Sequence, residues 1–288
     1  MSDHAITQGN GGGPLRTETG LVPIDLPQRM DARIDPKRLR IADRPRHSMT
    51  PWIFTDDPHL VMLHSPGSPL AERYRRLRLR LEQGTFDDPF SRQVTVITSA
   101  VPAEGKTTTA TNLALAYAEN RECRTLLVGA DLRGPSVSRY LNPKPALGLS
   151  HVLAGQVSLD DALVEMSGSG IWILPEGGPN VESSRNLAHN ESLGGLFDEL
   201  RRRFDRIVVD TAPTVPFTDA AVLASHADGV LLVVRAGTTT APLIRRAWES
   251  LSGANVIGVV LNDVVFTVVD RYYCRYDDYA PGRYASAK

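Results

Sequence analysis

The segment Thr98-Ser99-Ala100-Val101-Pro102-Ala103-Glu104-Gly105-Lys106-Thr107-Thr108 places a glycine, a lysine and two hydroxyls in succession. Such a string suits a polyphosphate. A glycine-bearing turn aims backbone N–H groups at one point, the lysine reaches the terminal phosphates, and the hydroxyl beside it holds magnesium. Ala103, Glu104, Gly105, Lys106, Thr107 and Thr108 are therefore the expected nucleotide contacts, with Lys106 catalytic and Thr107 a metal ligand. Ala100 and Ala103 stand where this pattern usually has glycine. Two carboxylates are candidates for the same site. Asp210 closes the apolar run Ile207-Val208-Val209 and would orient magnesium, usually through a water. Asp131 follows Val128-Gly129-Ala130 and could support the metal or accept a proton from an attacking hydroxyl. Arg133 is expected to contact phosphate or to pair with Asp131.

These residues need elements to position them. Gln93 to Ile97, before the loop, is rich in β-branched residues; Thr107 to Glu119, after it, carries Leu113, Leu115 and Tyr117 among alanines. Strand, turn and helix in that order give the loop its context. Further strands are expected at Arg124–Val128, Ile171–Leu174, Arg206–Val209, Gly229–Val234 and Val256–Leu261. Helical patterns lie between them at Leu149–Leu153, Leu193–Phe204, Asp219–Ser225 and Ala241–Ser252. Apolar strands alternating with amphipathic helices predict an α/β fold: a doubly wound, mostly parallel sheet covered on both faces. Ligands of such sheets bind at the carboxyl ends of the strands, where Lys106, Asp131 and Asp210 all fall.

The Gly-, Pro-, Asp- and Arg-rich stretch 1–60 is expected to be a disordered arm, with order beginning near Leu60-Val61-Met62-Leu63. Ser68-Pro69 then reads as an N-cap and first helical residue. The helix following, 68–82, would set Leu70, Tyr74, Leu77 and Leu81 on one face among many arginines. The main domain spans 61–265 and a tail spans 266–288. Five of the eight tyrosines lie in the last 17 residues: Tyr272, Tyr273, Tyr276, Tyr279 and Tyr284. A polar tail has no core in which to bury them, so they are expected to serve contact or modification.

Composition bounds the partners. A formal net charge of −1 gives no bulk reason to expect nucleic acid or an anionic membrane. Cys123 and Cys274 are far apart and outside metal-ligand spacing, as reduced cytosolic thiols would be. No apolar run is long enough to span a bilayer and no hydrophobic signal core opens the chain. A cytoplasmic protein is expected, meeting the inner face of the membrane only through a partner.

The order of these motifs carries a family resemblance. The phosphate loop, Asp131-Leu132-Arg133-Gly134-Pro135, Gly148-Leu149-Ser150, Val209-Asp210-Thr211-Ala212-Pro213 and Thr218-Asp219-Ala220 resemble the bacterial tyrosine kinases of capsule and exopolysaccharide synthesis. So do Asp228-Gly229-Val230 to Gly237 and Gly258-Val259-Val260-Leu261-Asn262. The resemblance implies an ATP-dependent protein tyrosine autokinase that regulates polysaccharide polymerisation and export. Within it Lys106 and Thr107 take ATP and Mg2+, Asp131 and Asp210 serve metal and catalysis, and Asn262 lies near the adenine. It also implies that Glu72, Arg75 and Arg78, neighbours on one helix surface, make subunit contacts in a ring-like homo-oligomer. The tail tyrosines become autophosphorylation sites, and a transmembrane co-polymerase becomes the activating partner.

Departures keep two alternatives in play. Gly129 stands where the family usually has a second aspartate, its expected proton acceptor, and losing a general base costs about 10²–10⁴-fold in rate. Transfer depends mostly on positioning and charge neutralisation, so Asp131 could substitute. One proline of the usual pair is missing at Thr211-Ala212-Pro213, and Arg185-Asn186-Leu187 replaces a Glu-Leu-Leu stretch. A catalytically silent ATP-binding scaffold is one alternative, to be separated by restoring the carboxylate with Gly129→Asp. A partition or site-selection ATPase is the other. Those proteins carry a lysine five residues before the loop lysine, and this chain has Val101.

Overall fold

A computed structural model describes residues 51–83, 92–177, 187 and 192–265. The chain enters through β1 (Ile53–Phe54), α1 (Val61–His64) and α2 (Pro69–Gln83), then runs through β2 (Val94–Ser99), α3 (Lys106–Ala118) and β3 (Thr125–Gly129). A short β4 (Leu141–Asn142), α4 (Leu149–Leu153), α5 (Leu159–Ala162), β5 (Val164–Glu165) and β6 (Ile171–Leu174) follow. The rest alternates: α6 (Ser192–Arg203), β7 (Arg206–Asp210), α7 (Asp219–Ala224), β8 (Gly229–Arg235), α8 (Ala241–Ser250) and β9 (Val256–Asn262).

Seven strands form one sheet in the order β5-β6-β3-β7-β2-β8-β9, parallel except where β5 pairs with β6. Alternation along each strand divides the core in two. Val96, Val128, Val209 and Leu232 pack with α6 residues Leu196, Phe197 and Leu200 on one face. Ile97, Leu127, Val208 and Val233 pack with α3 on the other. Both cores are apolar, with Phe197 and Phe204 in one and Tyr117 in the other, as parallel strands need when helices cover both sides. Edge strand β9 is less well covered than expected, with Val259 54% and Leu261 57% exposed. Among the described residues it pairs only with β8.

The stripe read along the helix after the loop understates its burial. Every α3 residue except Thr108 is buried, because α1 and α2 lie over its outer side. Ala110, Ala114, Ala116 and Ala118 lack bulk and admit those neighbours closely. On α2 the covered face is Ala71, Tyr74, Leu77 and Leu81, while Leu70 is 52% exposed. The expected face thus begins one residue later, at an alanine small enough to let α2 settle onto α3. Ser68 Oγ accepts from the Ala71 amide at 3.2 Å, the cap expected from Ser68-Pro69.

The expected arm also ends earlier than residue 60. β1 pairs antiparallel with β4, and the Thr55 amide donates to Tyr140 O at 2.8 Å. The Asn112 side chain in α3 donates to His59 O at 2.8 Å and accepts from the Met62 amide at 3.1 Å. Partners distant in sequence order a stretch whose own composition would not. Residues 1–50 and the tail 266–288, with Cys274, Tyr272, Tyr273, Tyr276, Tyr279 and Tyr284, lie outside the described residues.

Candidate nucleotide site

The strand order gathers the chemistry. β3, β7 and β2 are adjacent, and their registers align Gly129 and Ile97 with Asp210. Segments some 25 and 104 residues from Lys106 (131 − 106 and 210 − 106) therefore end side by side. The loop from Ala100 to Gly105 turns out of β2 into α3. Gly105 sits at φ 92°, and Ala103 takes φ 65°, a left-handed conformation that costs a residue with a Cβ about 1 kcal/mol. No side-chain hydrogen bond caps α3 at Gly105, which leaves the helix N-terminus without a side-chain partner there, as a phosphate-binding turn requires.

Lys106 Nζ donates to Asp131 Oδ2 at 2.7 Å, and both side chains are almost fully buried. Burial alone would lower the lysine pKa; the charges of Asp210 and Asp131 outweigh it and raise it. The lysine stays an ammonium, ready to meet phosphate. Thr107 Oγ1 donates to Ser136 Oγ at 2.9 Å, and Ser136 Oγ donates to Asp210 Oδ2 at 3.0 Å. Asp210 is wholly buried, and its Oδ1 has no hydrogen-bond partner among the described residues. Burial pushes its pKa up to about 6, while Lys106 and Thr107 pull it down and Glu176 and Asp131 add to the rise. An orphaned carboxylate oxygen beside a threonine hydroxyl is a donor set suited to Mg2+ or its waters, since hard cations take oxygen ligands.

Glu104 braces the loop from within. Its buried carboxylate accepts from the Val101 amide at 2.8 Å, the Arg235 amide at 3.3 Å and the Thr239 hydroxyl. It ties the loop to the end of β8, so its side chain is structural. Asn262, at the end of β9, donates Nδ2 to Glu104 O at 2.9 Å, and a Cβ on Gly105 would fall 2.0 Å from that nitrogen. Asn262 thus fastens the sheet edge to the loop. Thr108 turns away, with Oγ1 3.0 Å from the Tyr140 hydroxyl.

Arg133 does not pair with Asp131. It grips Asp219 through two bonds of 2.7 and 3.0 Å and lies 4.2 Å from the Phe217 ring centroid. Asp219 is buried and needs a cation, whereas Asp131 already has Lys106. That pair uses Nε and Nη2 of the guanidinium; the other N–H donors of Arg133 take no part in it. Glu72, Arg75 and Arg78 also find partners within the chain. Arg75 donates to Glu119 (2.6 and 3.0 Å) and to Pro66 O, while Arg78 donates to Ala116 O at 2.7 Å, serving the carbonyl end of α3. Glu72 stays half-exposed beside Arg75.

Ser136 and Glu176 were not expected at the site, and Asp219, read only within Thr218-Asp219-Ala220, was not expected to hold Arg133. Glu176 is fully buried, just beyond β6, and a Cβ on Gly129 would fall 2.6 Å from its Cδ. Gly129→Asp is therefore no simple restoration of a carboxylate; it collides with one already present. The signal that selected Asp131 and Asp210, an acid after an apolar strand, also marked Glu176.

Residues 96–246, just over half of the chain, match the family model of an AAA domain. The chain is 33% identical over 216 residues to the succinoglycan biosynthesis transport protein ExoP of Rhizobium meliloti (strain 1021), a match covering 74% of this chain and 27% of that protein. It is 30% identical over 206 residues to the tyrosine-protein kinase YwqD of Bacillus subtilis (strain 168), covering 71% of this chain and 85% of YwqD. Among solved structures, the VpsO kinase domain is similar with a TM-score of 0.60 at 30% identity, covering 68% of this chain and 97% of that one.

Proposed function

Since the chain belongs to the family of bacterial tyrosine-protein kinases on the P-loop nucleotide-binding fold, we propose that it is an ATP-dependent protein tyrosine autokinase that regulates capsule or exopolysaccharide polymerisation and export. The observation that carries this is the convergence of Lys106, Thr107, Asp131 and Asp210 on three adjacent strand ends, with one buried oxygen of Asp210 unpartnered. In the reaction the tyrosine oxygen bonds to the γ-phosphorus of ATP, the bond to the β-phosphate oxygen breaks, ADP leaves, and the phenolic proton passes to a base. Lys106 releases Asp131 to meet the phosphates, which frees that carboxylate to accept the proton. The α3 N-terminus and loop amides orient the triphosphate, so most of the work is positioning and charge neutralisation. Thr107 and Asp210 would hold Mg2+, which neutralises charge on the phosphates when bound.

The substrates are protein tyrosines, first those of the chain's own tail: Tyr272, Tyr273, Tyr276, Tyr279 and Tyr284. A ring-like homo-oligomer would bring one tail to a neighbour's site, with the α2 surface around Glu72, Arg75 and Arg78 at the contact. Among the described residues no helix is long and apolar enough to cross a membrane. A related region forms 27% of a biosynthesis transport protein, which supports a transmembrane co-polymerase as activating partner and a place at the inner membrane face.

Incubation with ATP and Mg2+ followed by phosphotyrosine mapping tests this reading. Tail phosphotyrosine is expected from the native chain, with the partner's cytosolic segment if needed, and none from Lys106→Met. Its absence from the activated native chain rejects the kinase reading. The lack of a carboxylate at Gly129 favours one second reading, a nucleotide-binding scaffold. Tight Mg·ATP binding with no transfer would select it.

A further inference from the structure

Gly129 leaves a gap where the family usually has a carboxylate, and this chain fills the gap from the turn after a neighbouring strand, β6. The Glu176 carboxylate occupies the volume a side chain at 129 would need, with Cδ, Oε1 and Cγ at 2.6, 2.9 and 3.0 Å from the position of such a Cβ. It is fully buried and far from idle. Oε1 accepts from the amides of Ser136 and Val137 at 2.7 and 2.6 Å, and Oε2 accepts from the Ser138 amide at 3.1 Å and from the Ser138 hydroxyl. Four donors use the four lone-pair directions of a carboxylate. Glu176 therefore has none left to take a proton from a tyrosine. Instead it pins the 136–138 turn, and that turn sets the Ser136 hydroxyl between Thr107 and Asp210.

We infer that Glu176 is a positioning residue for the metal part of the nucleotide site: it replaces the side chain missing at 129, and through Ser136 it fixes the spacing of Thr107 and Asp210. The inference rests on the nucleotide reading above and adds a residue from the turn after β6 to the segments that build the site.

Calorimetry of ADP binding to the full chain, with Mg2+ and with EDTA, reads this without turnover. Native protein should bind ADP more tightly with Mg2+. Glu176→Gln keeps the shape but turns an N–H2 toward backbone donors. It should cut the Mg2+-dependent gain by about 10-fold or more, as loss of an outer-shell partner does, and leave binding in EDTA within about 3-fold. Ser136→Ala should give the same loss, and Glu176→Gln on top of it should add nothing. An unchanged Mg2+ gain in Glu176→Gln, or additive losses in the double variant, would overturn the inference. A second measurement covers a variant that folds poorly. Gly129→Ala pushes its Cβ into Glu176 and should lower the melting temperature, whereas Gly129→Ala/Glu176→Ala should lose less than the two single changes summed. Additivity there would show that Glu176 does not fill the gap. If native protein shows no Mg2+ gain at all, the nucleotide reading fails instead, while the melting comparison still decides the geometry.

Discussion

Asp210 shows how a residue built for function costs the empty fold. Its carboxyl is buried, with one oxygen unpartnered, and burial raises its pKa to about 6 from 3.8. The folded chain therefore binds a proton that the unfolded chain has released between those values, so stability from this group is full below about pH 4 and lost as pH rises through 6. Asp210→Asn does not titrate. In denaturant unfolding without nucleotide, the variant should gain on the native chain as pH goes from about 4 to 7, by on the order of 1–3 kcal/mol. The same variant should lose Mg2+-dependent ADP binding. A difference that is flat with pH would refute the assignment. Lys106→Met should abolish tail phosphorylation, and the methionine should also leave the Asp131 carboxylate buried without its ammonium.

At the scale of elements, close approach decides what a substitution costs. Gly148, at the head of α4, lies against the turn after β6; an added Cβ would fall 2.3 Å from Pro175 O and from the Gly177 amide nitrogen. Both are backbone atoms with nowhere to go, so Gly148→Ala should destabilise by about 1–3 kcal/mol in chemical denaturation. Because that turn carries Glu176, the variant should also weaken Mg2+-dependent ADP binding. The α2–α3 contact is the opposite case. Arg75 pairs with Glu119 where water reaches both, so Arg75→Ala should cost only about 0.2–1 kcal/mol of monomer stability. If the α2 surface joins subunits, the same change should lower the mass seen by light scattering far more than it lowers stability.

For the whole molecule, charge on the tail is the lever. Each phosphotyrosine adds about −1.5 to −2 near pH 7, so a tail modified at several of its five tyrosines becomes strongly anionic. A tail that docks unmodified in a neighbour's acidic site, beside Asp131 and Asp210, should be expelled once phosphorylated. Light scattering of phosphorylated and dephosphorylated chain should then show a smaller assembly for the former; equal masses would defeat the idea. Six strands (β2, β3, β6, β7, β8 and β9), the phosphate loop and the carboxylates Asp131 and Asp210 were legible in the amino-acid string, because β-branched runs, a glycine before Lys106-Thr107 and an acid after an apolar run are local patterns; the two-residue strands β1, β4 and β5 were not. So was the tyrosine crowding beyond residue 271. Pairings across the fold were not legible: Arg133 chose Asp219, Arg75 turned to Glu119, and β1 found a partner in β4. Nor was the exchange of Gly129 for Glu176, residues 47 positions apart (176 − 129) that meet only because β3 and β6 lie side by side. Local order follows from neighbours along the chain, whereas the choice among distant charges is made by burial and strand adjacency, which only the folded sheet supplies.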